Sequence, residues 1–152
     1  MLEIGSKAPL FSLQNQDGNN VNLIDFKGKK VVLFFYPKDD TSGCTREAIG
    51  FSEKKSFFDD KDVIILGLSK DSVKSHEKFC NKHDLSVTLL SDPETEVNKK
   101  YGVWQEKSMY GKTYFGTQRS TFIIDESGSI EKIWPKVKVA THIEEVVDYF
   151  SN

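Results

Sequence analysis

The feature that most constrains the fold is an uninterrupted run of β-branched and aromatic residues, VVLFFY, at positions 31–36. A strand that is apolar on both faces has to be covered on both faces, so the run predicts a central strand of a layered sheet. A second run of the same character, VIILGLS, occupies positions 63–69. A helix that joins two such strands makes them a parallel pair. The sequence therefore predicts an α/β fold.

The segment between the two runs places a thiol at the beginning of a helix. Pro37 ends the first strand, and residues 44–58 carry apolar side chains near helical spacing, with Thr41 or Ser42 available as a side-chain cap. Cys44 then lies in or next to the first turn, where free N–H groups and the helix dipole favour a thiolate. An ordinary thiol is only about 3% ionised at pH 7, and activating it takes about 2.7 kcal/mol, whereas a helix dipole supplies roughly 0.3–1 kcal/mol. A second positive group, an arginine from elsewhere in the chain, is expected to contribute.

These residues resemble the active-site motif of a known family. The spacing Pro37-x-x-x-Thr41-x-x-Cys44 is similar to the motif of peroxiredoxins, and YPKDDTSGCTREA around it looks closest to the peroxiredoxin Q subfamily, also called bacterioferritin comigratory protein. A later block, QRSTF, is similar to the segment that supplies the active-site arginine of this family, which is Arg119 here. Two motifs in the right order, on a chain whose whole length fits one such domain, make the resemblance specific.

The resemblance implies a function and a set of site residues. A cysteine thiolate of these enzymes attacks the O–O bond of a peroxide and becomes a sulfenic acid, so Cys44 is the implied peroxidatic residue, with Pro37, Thr41 and Arg119 completing the site. Hydrogen peroxide and organic hydroperoxides are the implied substrates, and thioredoxin or a similar dithiol is the implied reductant. No cofactor and no metal is implied.

The chain departs from the commonest subfamily pattern at two positions. Ser42 stands where many members have proline, and Ile49 stands where many carry a second cysteine. Some members carry that cysteine on a later helix, so the resemblance implies Cys80 as the resolving residue of a Cys44–Cys80 disulfide. A disulfide needs Cα atoms within roughly 7 Å, and we therefore expect one or both helices to unwind after oxidation. The alternative is that Cys80 is a core residue and that an external thiol resolves the sulfenic acid.

Other interpretations of the same residues differ in the chemistry that they require. A redox sensor or holdase-like interaction protein would use the oxidation of Cys44 as a switch and would stop after one equivalent of peroxide, whereas a peroxidase turns over. A thiol–disulfide oxidoreductase would normally need a C-x-x-C pair, which the sequence lacks. His76, Cys80 and His83 have i, i+4, i+7 spacing, but a helical stripe with no fourth ligand nearby is weak evidence for a metal site.

Turn and capping signals predict the remaining elements. Together with the two apolar runs they describe a thioredoxin-like three-layer sandwich, in which helices flank a central mixed β-sheet and an N-terminal β-hairpin precedes it. In chain order the predictions are a hairpin of 11–13 and 21–23, a helix over 73–83 capped by Asp71 or Ser72, a short edge strand at 87–90, a helix over 92–101, a functional loop at 103–118, an antiparallel hairpin of 120–125 and 129–134, and a last helix with a capping box at Thr141-x-x-Glu144 and an exposed His142.

Length and charge bear on organisation and partners. A chain of 152 residues is the ordinary size of one domain, so we expect 1–152 to be a single domain, a monomer or weak homodimer. The formal net charge is −2, which provides no basic surface for nucleic acid. No stretch approaches the length of a membrane span and no cleavage pattern is present, so neither membrane insertion nor export is expected. Two cysteines suit a reducing compartment, which predicts a cytoplasmic location.

Overall fold

The computed structural model describes residues 2–151, which form nine strands, five α-helices and one short 3-10 helix. In chain order they are β1 (Ser12–Asn15), β2 (Asn20–Asn22), the 3-10 helix (Leu23–Phe26), β3 (Lys30–Phe35), α1 (Ser42–Glu53), α2 (Lys55–Asp60), β4 (Val63–Ser69), α3 (Val73–His83), β5 (Thr88–Ser91), α4 (Glu96–Lys100), β6 (Trp104–Met109), β7 (Lys112–Thr117), β8 (Ser120–Ile124), β9 (Ile130–Trp134) and α5 (Val139–Ser151).

A mixed sheet of seven strands forms the middle layer, in the order β2, β1, β5, β4, β3, β8, β9. β3 and β4 are parallel, as the two apolar runs predict, and β8 pairs with β3 in the antiparallel direction. Alternate residues of β3 enter two separate cores. Val32 and Phe34 pack with residues of α1, α2, α3 and α5, while Val31 and Leu33 pack on the other face, beneath α4 and the N-terminal segment. The predicted α/β, thioredoxin-like layered fold is confirmed.

The N-terminal hairpin and β5 differ from the prediction in their place in the sheet. β1 and β2 form the predicted antiparallel pair, but β1 also pairs with β5, through Gln14 with Ser91 and Asn15 with Leu90. The hairpin is therefore part of the main sheet rather than an addition before it. β5 is consequently an internal strand, and the prediction of an edge strand was wrong.

The segment predicted to be a functional loop, 103–118, is a second hairpin. β6 and β7 are joined by Tyr110 and Gly111, both with positive φ (52° and 76°), a combination typical of a two-residue type I′ turn. Tyrosine is an unusual residue at positive φ, so the turn carried no clear sequence signal. Most side chains of the hairpin are exposed on both faces, which removes the apolar alternation that marks a half-buried strand.

Helix boundaries account for three further corrections. The helix predicted over 44–58 is interrupted at Lys54, which separates α1 from α2. The helix predicted over 92–101 is limited to α4. Asp92 stays outside the helix, and its carboxylate accepts hydrogen bonds from the backbone N–H groups of Val97 and Asn98 in the first turn. α5 begins two residues before the predicted capping box, so that His142 is fully buried instead of exposed, and its Nε2 lies 2.8 Å from Oγ1 of Thr121.

The other helix and hairpin predictions are confirmed. α3 spans the predicted residues, and its cap is Ser72, whose side chain accepts from the backbone N–H of Ser75. β8 and β9 form the predicted antiparallel hairpin. None of the helices within residues 2–151 combines the length and the apolar character that crossing a bilayer requires.

Candidate active site

Cys44 is the third residue of α1 and is buried, with 1% of its surface exposed. Pro37, half-buried, follows the end of β3 and begins the turn that leads to the helix. Thr41 is the N-cap residue, but its hydroxyl donates to the carbonyl oxygen of Lys38 at 2.9 Å and does not cap the helix. The predicted side-chain cap by Thr41 or Ser42 is therefore absent, since Ser42 is already the first helical residue. The first turn of α1 keeps its backbone N–H groups available to a ligand.

Arg119 reaches the sulfur from a distant part of the chain. Its Nη2 donates a hydrogen bond to Sγ of Cys44 at 3.1 Å, across 75 residues of sequence. Strand pairing brings Arg119 close to Cys44. Arg119 immediately precedes β8, and the first residue of β8 pairs with Phe35 at the end of β3, just before the turn that leads to Cys44. Gly43 permits the approach, since a Cβ there would lie 3.2 Å from Nη2. The two sequence motifs therefore meet at one sulfur atom.

Glu47 is a third member of this cluster, and no sequence motif pointed to it. Its Oε1 accepts from Nη1 of Arg119 at 2.7 Å, and its Oε2 has no hydrogen-bond partner among residues 2–151. Burial raises the pKa of Glu47 to about 7, because the loss of hydration outweighs the attraction of Arg119. The available signal was its position, three residues after Cys44 and one before Ala48, which puts a carboxylate on the buried face of the helix.

The charge on Arg119 is stabilised by both of its partners. Burial of the guanidinium tends to lower the pKa of Arg119, but the Glu47 carboxylate and the Cys44 sulfur outweigh this effect, so that the net pKa is raised. The hairpin of β6 and β7 lies close enough to respond to the same charges. Burial lowers the pKa of Lys107, and the positive charge of Arg119 lowers it further. A peroxide that reaches the sulfur therefore meets a fixed positive charge.

Cys80 lies in the last two turns of α3 and is 8% exposed. Burial raises the pKa of Cys80 to about 11, and the negative charges of Asp39 and Asp17 add to the effect. Cys44 and Cys80 belong to the same apolar core, yet both are free thiols and both helices are intact. The structure is thus the arrangement expected before any unwinding.

The histidines predicted as a weak metal stripe face different partners. Nδ1 of His76 lies 2.7 Å from Oδ2 of Asp39, and Nε2 of His83 lies 2.9 Å from Oδ1 of Asp40. Within residues 2–151, the cluster with metal-ligand geometry is Asp39, Asp71 and His76. Its ligand atoms already hydrogen-bond within the protein, so this donor set does not call for a metal.

Known proteins resemble this chain over nearly its whole length. The AhpC/TSA family matches residues 4–133. A peroxiredoxin of the bcp type from Coxiella burnetii is 52% identical over 146 residues, which cover 96% of this chain and 97% of that protein. The structure of the bacterioferritin comigratory protein of Xanthomonas campestris, studied for alkyl peroxide reduction, has a TM-score of 0.89 at 36% identity and covers 99% of this chain and 96% of that chain.

Two further structures of Xanthomonas campestris peroxiredoxin Q each carry a cysteine-to-serine change. Both are 37% identical to this chain with a TM-score of 0.89, and both cover 98% of it and 95% or 94% of their own chains. The two changed positions have the same separation as Cys44 and Cys80. With the fold, the joined motifs and these identities in agreement, the chain belongs to the AhpC/TSA family, in its peroxiredoxin Q or bacterioferritin comigratory protein group of thiol-dependent peroxidases.

Proposed function

We propose that this peroxidase reduces hydrogen peroxide and organic hydroperoxides with Cys44 as the attacking residue and Cys80 as the resolving residue, and that a thioredoxin-type dithiol restores both thiols. One observation carries the assignment of the first step, namely the hydrogen bond of 3.1 Å from Nη2 of Arg119 to Sγ of Cys44. Arg119 is charged at every physiological pH and therefore favours the thiolate.

In the first step the Cys44 thiolate attacks the terminal oxygen of the peroxide. The O–O bond breaks, one oxygen stays on the sulfur as a sulfenic acid, and the other leaves as hydroxide or alkoxide and takes a proton from solvent. The guanidinium of Arg119 and the free N–H groups of the first turn of α1 stabilise the negative charge on the leaving oxygen. The Thr41 hydroxyl donates a hydrogen bond to the carbonyl oxygen of Lys38, so the hydroxyl oxygen is left to accept a hydrogen bond from the hydroperoxide. Pro37 fixes the backbone at the start of this turn.

In the second step the Cys80 thiolate attacks the Cys44 sulfur. A disulfide forms, the S–O bond breaks, and the hydroxide that leaves is protonated to water. With a pKa of about 11, Cys80 is a thiol in the folded helix at neutral pH. Exposure of Cys80 to water would return its pKa to the ordinary value and increase the thiolate about a hundredfold. Unwinding of α3 would therefore supply both the approach and the ionisation, and the matching cysteine separation in the Xanthomonas variants supports the pairing.

Mass spectrometry after one equivalent of peroxide tests these roles. The wild type should lose two hydrogens as the disulfide forms, whereas Cys80→Ser should gain one oxygen as a persistent sulfenic acid. Cys44→Ser, the matched control at the other sulfur, should show neither change. If Cys80→Ser passes through repeated thioredoxin-driven turnover at the wild-type rate, Cys80 is not the resolving residue. Consumption of many equivalents of peroxide separates an enzyme from a sensor that stops after one.

We also propose that residues 1–152 act as one domain, as a monomer or weak homodimer, in the cytoplasm. A single seven-stranded sheet that draws strands from residues 12 to 134 supports one domain. Two free thiols, one of them resolving, support a reducing compartment. Light scattering during size-exclusion chromatography over a range of protein concentrations would test the assembly, and a stable tetramer or larger ring would contradict it.

A further inference from the structure

A buried polar cluster beside the active site takes no part in the thiol chemistry described so far. The Asp39 carboxylate accepts a hydrogen bond from the Tyr36 hydroxyl at 2.6 Å and from the Ser75 hydroxyl at 2.7 Å, and its Oδ2 lies 2.7 Å from Nδ1 of His76. Tyr36, Asp39 and His76 are all buried. Three polar side chains therefore converge on one carboxylate inside the protein.

The cluster holds a shared proton. Nε2 of His76 lies 2.9 Å from the carbonyl oxygen of Leu90, which can only accept, so Nε2 must donate. Nδ1 of His76 faces the Asp39 carboxylate, which requires a second proton on His76 or one on Asp39. If the two residues separate without entering water, Nδ1 of His76 loses its close partner, and the Asp39 carboxylate keeps only the hydrogen bonds from Tyr36 and Ser75. Separation of the pair is therefore costly while both residues stay buried.

The cluster joins the two cysteine-bearing segments. Asp39 lies in the turn between β3 and α1, five residues before Cys44. His76 lies on α3 one helical turn before Cys80, on the same face of the helix. Asp39 is also one cause of the raised pKa of Cys80, after the larger effect of burial. Opening the cluster would therefore free the Cys80 helix and remove a negative charge from its thiol.

A second bridge between the same two segments lies at the surface. Asp40 forms an ion pair with Lys82 at 2.6 Å, and its other carboxylate oxygen lies 2.9 Å from Nε2 of His83. The side chains of Asp40 and Lys82 are 43% and 61% exposed. Water can replace both partners when this bridge breaks, and exposed pairs of this kind stabilise little. The surface bridge is therefore a matched control for the buried one.

We propose that Asp39 and His76 form a latch that holds the Cys80 helix against the Cys44 turn and that has to open before the disulfide can form. This inference rests on the proposed function, in which Cys80 resolves the sulfenic acid of Cys44. Asp39 and His76 are positioning residues, since they act by holding the two segments in place.

The latch controls what happens to the sulfenic acid. While it is closed, Cys80 stays in its helix, and a second peroxide can oxidise the Cys44 sulfenic acid to a sulfinic acid, with that peroxide reduced to water or alcohol. When it opens, Cys80 attacks, the S–S bond forms and water leaves. The stability of the latch therefore sets the partition between disulfide and sulfinic acid.

Rapid-quench mass spectrometry of the full chain with hydrogen peroxide tests the latch. Asp39→Asn keeps the shape of the side chain, and its amide can donate to Nδ1 of a neutral His76, so the variant replaces the contact that shares a proton with a weaker neutral hydrogen bond. We expect Asp39→Asn to convert sulfenic acid to disulfide about tenfold faster and to need about tenfold more peroxide for half-conversion to sulfinic acid. Asp40→Asn, at the surface bridge, should change both quantities by less than about threefold.

The outcomes separate the latch from its premise. If Asp39→Asn forms the disulfide at the wild-type rate, or more slowly, the latch is overturned while the proposed function stands. If the wild type forms no Cys44–Cys80 disulfide at all, the resolving role falls and the latch falls with it. A purely structural role would lower the melting temperature without changing the partition. Should Asp39→Asn not fold, Ser75→Ala, which removes one donor, decides the matter through an acceleration of about threefold.

Discussion

Replacing Glu47 with glutamine isolates the effect of a carboxyl group that is buried against the guanidinium of Arg119. The Glu47 side chain is fully buried, one of its oxygens accepts from Arg119 at 2.7 Å, and the other has no partner within residues 2–151. Burial raises its pKa from 4.5 to about 7 in spite of the neighbouring positive charge. Glutamine removes the titration while keeping the size of the side chain.

The raised pKa fixes the sign and size of the effect on stability. The difference between 4.5 and about 7 corresponds to about 3 kcal/mol, because one pKa unit equals about 1.4 kcal/mol. Below 4.5 the carboxyl group is protonated in both the folded and the unfolded chain. As the pH rises through 7, the unfolded chain has already released its proton and the folded chain must bury a charge, so folding stability is lost. The loss is a large part of a typical domain stability of about 5–15 kcal/mol.

Urea unfolding of wild type and Glu47→Gln at several pH values measures the effect. The free energy of unfolding of the variant minus that of the wild type should rise by about 3 kcal/mol between about pH 4 and about pH 8. Other titrating groups cancel in this difference. Glu53→Gln makes the same chemical change on the exposed side of α1 and is the control for the substitution itself. A Glu47→Gln difference that is independent of pH, or that falls with rising pH, would refute the reasoning.

Two other changes probe the site and the packing beneath it. Arg119→Lys keeps the charge but replaces the two guanidinium nitrogens that reach the sulfur and Glu47 at once with a single nitrogen. The rate with hydrogen peroxide in a competition assay should therefore fall about 10–100-fold. A fall below about threefold contradicts the role given to the guanidinium. Gly50→Ala would place a Cβ 2.6 Å from Cγ1 of Ile143 between α1 and α5. Overpacking should outweigh the gain in helix propensity and cost about 1–2 kcal/mol in urea unfolding, whereas Gly116→Ala, whose Cβ would meet atoms no closer than 3.4 Å, should cost less than about 1 kcal/mol.

Sequence reasoning succeeded for the fold where burial imposes a pattern. The run at 31–36 has to be covered on both faces, and the structure does divide it between two cores. It failed where the pattern depends on tertiary contacts. The exposed hairpin of 104–117 has no core face to create an apolar alternation, and His142 is buried because α5 begins two residues earlier than its capping signal. The local sequence does not indicate that a hairpin lacks a core face or that a helix begins before its capping residue.

At the candidate site, the sequence motifs pointed to Cys44 and Arg119, which the structure brings into contact, but to neither of the buried carboxylates. Helical spacing from Cys44 places Glu47 on the buried face of its helix, but the partner of Glu47, like that of Asp39, lies far along the chain. Arg119 is 72 residues from Glu47, and His76 is 37 residues from Asp39. Only the fold shows which charged residues are neutralised in this way, so these pairings could not be predicted from local pattern.

The positions of the two carboxylates suggest how one cysteine can serve two steps with opposite requirements. Glu47 binds the helix of Cys44 to Arg119, next to β8, while Asp39 binds the turn before that helix to His76 on α3. In the mechanism that we propose, attack on peroxide needs the first contact, and disulfide formation needs the second to open. Because the two contacts share no residue, the Asp39 side can open while the guanidinium stays at the sulfur. Loss of Asp39 should therefore alter the fate of the sulfenic acid much more than its formation, and loss of Arg119 should do the reverse.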